Sequence, residues 1–289
     1  MSATLTINRE PGEHAVWLPS SVMFDTFVEE ITRHLDALDS GLATEIRNST
    51  VQGTYGHLDH LSSDQMTALL KAVEDLVMDE VPSLEQLILF TPNDETFIRA
   101  KCHYLSSLYE LKTLIYVDNR VRNDLSAQST ILVSKDIKWT APGWTAQLTA
   151  ELLYSSPEIQ FHHRETALML CYIISRPIIT LDWSTLAVSH FCAIATGLKN
   201  LSHHFKHTDS GHVAYGDKIT PVMSAKVREL CNLISADPRT RHCEQDIDDL
   251  PAHTVSMLRV LNPEQTEIWK PLKRFKDGLN NLFRGLRKM

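Results

Sequence analysis

Four histidines and an aspartate crowd one short stretch of the chain: His203, His204, His207 and His212, with Asp209. On a helix, His203 and His207 stand one turn apart and can share one cation, as zinc ligands do. His190 precedes His204 by fourteen residues, nearly four whole turns, so a helix puts those two on one face. Zinc or another divalent metal on His203, His204 and His207, with a carboxylate as base, is the constellation of metal-dependent hydrolysis. The rest of such a signature is missing from the sequence. There is no HExxH, and no repeated ExxH pair of the kind that di-iron bundles use. The plainer reading is a helix end, where His⁺ suits the negative pole of the dipole. The expectation is therefore no cofactor, with a metal-dependent enzyme as the alternative.

Other chemistry is thinner. The sequence holds neither GxSxG nor a glycine-rich phosphate loop. "DNRVRND" (Asp118 to Asp124) reads as a helix terminus with local ion pairs, and "EQDIDDLP" (Glu244 to Pro251) as a solvated acidic helix start. Trp139 and Trp144 flank "TAPG" and read as side chains packed over a loop.

The last twenty residues, "KPLKRFKDGLNNLFRGLRKM", carry seven Lys or Arg and one acid. That is +6 on a chain of net −8, so the other 269 residues carry −14. Leu272, Phe275, Leu279, Leu282, Phe283 and Leu286 step by three, four, three, one and three and form one stripe on a helix. Lys273, Arg274, Lys276, Arg284, Arg287 and Lys288 surround it. Gly278 and Gly285 each weaken the helix by about 1 kcal/mol relative to Ala, which predicts a helix ordered by what it touches. Three surfaces suit it: the chain's own acidic body, an anionic membrane or phosphate backbone, or a groove on another protein or another copy of the chain. The acidic body opposes nucleic acid and anionic membranes everywhere else.

The elements that must position these residues are mainly helical. "FDTFVEEITRHLDAL" places Phe24, Phe27, Val28, Ile31, Leu35 and Leu38 on one face. Further helices are expected from about Ser63 to Glu80, ended by Val81-Pro82, then over "SLEQLILF", over the stretch capped at Thr91-Pro92, and at about 144–155, 158–175, 183–204, 221–235 and 246–261. A last one follows Asn262-Pro263, with Pro271 opening the tail helix over 271–289. Residues 1–19 read as an extended arm or short strand, 40–61 as irregular, and "TILVSKDIKW" as the best strand. The expected architecture is all-α: about nine or ten helices in one body over 20–270, with a weak division near 118–143. The spacing shows no repeat of 20–50 residues.

Composition is that of a globular chain, 43% hydrophobic and 22% charged. Five widely spaced cysteines with no CxxC read as reduced thiols, and the opening "MSATLTINREPGEHAVW" lacks the pattern of a secretion signal. No run of about 18 apolar residues occurs. Together these predict a cytoplasmic, non-enzymatic interaction or assembly protein. Its partner is a protein, a further copy of itself or an anionic membrane, reached through the tail. Nucleic acid is the remaining alternative.

Overall fold

A computed structural model describes residues 3–8, 15–50, 55–174, 180–208 and 216–243. Residues 244–289, and with them the tail and the acidic stretch before it, lie outside the described residues. Two β-strands open the chain, β1 (Thr4–Asn8) and β2 (Ala15–Trp17), followed by α1 (Ser21–Leu38), α2 (Ser40–Ser49) and β3 (Tyr55–His57). Two long helices follow, α3 (Ser63–Phe90) and α4 (Glu95–Tyr116). Then come β4 (Gln128–Leu132), β5 (Lys138–Pro142), α5 (Gly143–Tyr154), α6 (Pro157–His162), α7 (Arg164–Ile174) and β6 (Thr180–Asp182). The described chain closes with α8 (Val188–Thr208), α9 (Gly216–Ser235) and a 3-10 turn, Pro238–His242.

The protein is mostly helical, as expected, but the described residues also form two small sheets. They have the same topology. In one, β1 is central, antiparallel to β2 and parallel to β3; in the other, β4 is central, antiparallel to β5 and parallel to β6. Registers correspond as well. Leu5 faces Trp17 and Gly56, while Ile131 faces Trp139 and Leu181. Leu58 N–H donates to Thr6 O at 2.8 Å, and Trp183 N–H to Leu132 O at 2.8 Å. The order strand, strand, helices, strand, helix, helix therefore occurs twice. The helix pairs match: α1 with α5, α3 with α8, α4 with α9.

Burial follows the correspondence. Aligned from the shared Trp17 and Trp139, Phe24, Phe27 and Ile31 of α1 take the places of Ala146, Thr149 and Leu153 of α5, all buried. Leu108, Leu111 and Ile115 of α4 take the places of Val227, Leu230 and Ile234 of α9, also buried. Both halves join one hydrophobic cluster, to which each contributes its tryptophan.

Several local expectations change. Residues 4–8 and 15–17 are short strands, one of the two expected forms, packed into the body: Leu5, Ile7 and Trp17 are buried, and Trp17 Nε1 donates to Ser107 O at 3.0 Å. Pro82 does not end a helix, because α3 runs through it to Phe90. The capping box is Ser62 with Gln65, not Ser83 with Gln86, and the cap of α4 is Asp94 rather than Thr91. Residues 40–49 are helical, capped by Asp39 on Leu42 N at 3.0 Å. "TILVSKDIKW" spans two strands and their turn. Cys192 and Cys243 form a disulfide across 51 positions, contrary to five reduced thiols; Cys102, Cys171 and Cys231 are free. Among the described residues no helix is long and apolar enough to cross a membrane.

Candidate functional site

Of the predicted metal ligands, His203 is exposed on α8, and His204 and His207 belong to the same helix with side chains outside the described set. Among the described residues no group of three or more His, Cys, Asp or Glu is arranged to hold a metal ion. The predicted partner-binding residues, Leu272 to Lys288, lie outside the described residues.

The structure brings other residues together. "DNRVRND" and "ADPRTR" hold the same clasp. Arg120 pairs with Asp118 at 2.8 Å and donates to the carbonyls of Ile7 (2.6 Å), Leu58 (2.7 Å) and Leu61 (3.1 Å). Arg239 pairs with Asp237 at 2.9 Å and donates to the carbonyls of Val133 (2.5 Å), Trp183 (2.9 Å) and Ser184 (3.5 Å). Each guanidinium fork thus ties the end of a long helix to the central strand and to the loop after the third strand, spending its five donors on a buried carboxylate and backbone. In the second half the guanidinium also stacks on Phe191, 3.7 Å from the ring centre, and the Cys192–Cys243 bridge lies alongside. The first half has Thr67 and Asp124 at the corresponding places.

A second group is ionic and buried between α1, α3 and α4. Lys101 pairs with Glu80, both nearly without exposure, and Tyr104 Oη donates to Glu30 Oε2 at 3.0 Å. Burial, and then the neighbouring Glu80 charge, push the Glu30 carboxyl up to about 7. The second half builds the same junction without this chemistry. Leu152, Phe205 and Met223 stand where Glu30, Glu80 and Tyr104 stand in the first, all three buried. The fold therefore works with an apolar filling, and ionic groups of this kind are often no more stabilising than one.

At the junction of α6, α7 and α8, His190 shares a hydrogen bond with Thr166 at 2.9 Å and approaches Glu165 at 3.8 Å. Burial, and then the neighbouring His162 and His190, hold the His163 imidazole below its usual value. The tertiary fold gathers these histidines from separate helices.

One groove, of about 480 Å³, runs between α1 and α2, lined by Asp25, Val28, Glu29, Thr32, Asp36 and Arg47 among others. Asp36 and Arg47 bridge its floor at 2.5 Å, and Arg47 holds the Asp36 carboxyl below the ordinary range. Glu29 is open to solvent, its side chain 79% exposed, with Arg33 beside it at 3.4 Å. Charge is also divided between the halves. Residues 1–125 carry 20 acidic and nine basic side chains, net −11, whereas residues 126–243 carry nine acidic and 11 basic, net +2. No family model, curated protein or solved structure matches this chain.

Proposed function

We propose that this chain is a non-enzymatic interaction and assembly protein, whose basic C-terminal segment, residues 271–289, engages an acidic protein surface, foremost that of another copy of the chain. One observation carries the reading: the negative charge is concentrated in the first half, −11 on a fold that its second half builds at +2, and residues 270–289, at +6, lie at the far end of the same chain. Fold alone does not require that division, so it is available for recognition. The interior ionisable groups fit a scaffold, since Lys101, Glu80, Asp118, Asp237 and Lys112 are each paired across or at the ends of helices.

In the reducing cytoplasm that this proposal assumes, the Cys192–Cys243 pair is a redox-labile tie, not a permanent staple. Sedimentation of the full chain over a concentration series tests the reading. Association that weakens as salt rises, is unchanged by a chelator and needs no nucleic acid supports it. A salt-insensitive monomer that holds zinc stoichiometrically and loses it on His207→Ala supports the metal-enzyme alternative instead.

A further inference from the structure

The duplicated plan shows what covers the first helix of each half. In the second half, the outer face of α5 is covered by the first half. Glu151, fully buried, pairs with Lys112 of α4. Tyr154 donates to Glu85 of α3 at 2.7 Å. Gln147 reaches Glu151 at 2.8 Å. The Tyr109 ring of α4 is buried at the same seam, its phenol raised first by burial and then by Glu151 and Cys171. An aromatic side chain of α4, with Cys171 of α7 beside it, and one turn on a cation thus cover this face of α5.

Counting from Trp17 and Trp139, Gln147, Ala150, Glu151 and Tyr154 correspond to Asp25, Val28, Glu29 and Thr32. Those four line the α1–α2 groove. The glutamate that pairs with Lys112 in the second half is the solvent-facing Glu29 in the first, and Asp25 adds a second acid where the second half has a neutral glutamine. The groove, lined by three carboxylates (Asp25, Glu29, Asp36) and two arginines (Arg33, Arg47), is therefore the net-acidic counterpart of a seam that, elsewhere in the same molecule, takes a helix bearing aromatic and basic side chains.

We propose that the α1–α2 groove receives the chain's own residues 270–289. The inference rests on the reading that this segment is the binding element. It offers the two side-chain types that the sister seam takes, with Phe283 and Arg287 one turn apart as Tyr109 and Lys112 are. Its +6 meets the −11 half of the molecule. The 26 residues from 244 to 269 span at most about 90 Å when extended, enough to reach the groove of the same copy as well as that of a neighbour.

The test is photocrosslinking in the full-length chain with p-benzoylphenylalanine at position 283, the adducts being mapped by mass spectrometry. Adducts within 25–36 and 47–50 are expected. Asp25→Lys with Glu29→Lys, at exposed positions that leave the helical circular dichroism intact, lowers their yield by roughly fivefold, the worth of two surface ion pairs. Arg284→Glu with Arg287→Glu in that same chain restores it. Adducts on other faces, on added lipid or on RNA, or a yield indifferent to charge reversal, overturn the proposal. Gel mass separates the two readings. Groove adducts confined to single chains keep the groove and end the assembly reading. Self-association with adducts elsewhere keeps assembly and ends the groove.

Discussion

Arg120 and Arg239 carry more of this architecture than their neighbours in sequence suggest. Each side chain satisfies carbonyls from two separate segments and neutralises an almost fully buried aspartate. Arg120→Ala leaves Asp118 buried and uncompensated, and should cost about 3–5 kcal/mol, read as a lowered urea midpoint; Arg120→Lys should recover little, because an ammonium cannot reproduce the fork. Glu30 gives a second residue-scale expectation. Its carboxyl is raised from 4.5 to about 7 in the fold, so the folded state holds a proton that the unfolded state has lost between those values. That stabilisation is complete below pH 4.5 and declines as pH rises towards 7, by up to about 1.4 kcal/mol per pH unit. Glu30→Gln should flatten this decline, seen in denaturation midpoints across pH 5 to pH 7.

Among the elements, helices with one strong apolar face were legible, and of the sheets only strand character in "TILVSKDIKW" and near the start of the chain, not the pairing. The three- and four-residue spacing of α1 marks Phe24, Phe27, Ile31 and Leu35, all of which are buried, and errs only at Leu38, 56% exposed beyond the edge of the core. Strands of three to five residues leave too short a period to read, and the parallel partners lie 50 or 51 positions away along the chain. Pro82 misled because it lies inside α3, where packing on α4 overrides its local cost. The repeat escaped because its conserved signal is sparse: a buried tryptophan and, about a hundred residues later, Asp-x-Arg. The candidate groove was equally invisible, since its significance comes from what covers the matching helix in the other half. At this scale the Cys192–Cys243 bridge yields a prediction. It closes a loop of 51 positions and fastens only the second clasp, so its reduction, or Cys243→Ser, should lower stability by about 4 kcal/mol on the chain-entropy account. Melting with and without reductant measures this.

For the whole molecule, two copies of one plan share a core while their surfaces differ in charge. Core residues are interchangeable in kind between the halves, as Phe24 and Ala146 or Leu108 and Val227 show. Surface charge answers to a different demand, and the +6 terminal segment supplies the complementary half of that demand. Light scattering of the full chain beside one in which Lys273, Arg274, Lys276, Arg284, Arg287 and Lys288 are replaced by Glu tests this most directly. An oligomer that falls to a monomer on charge reversal, with the same helical content and the same mass in chelator, is the result predicted here. A native chain that is monomeric at every concentration, or an oligomer unchanged by the reversal, would contradict it.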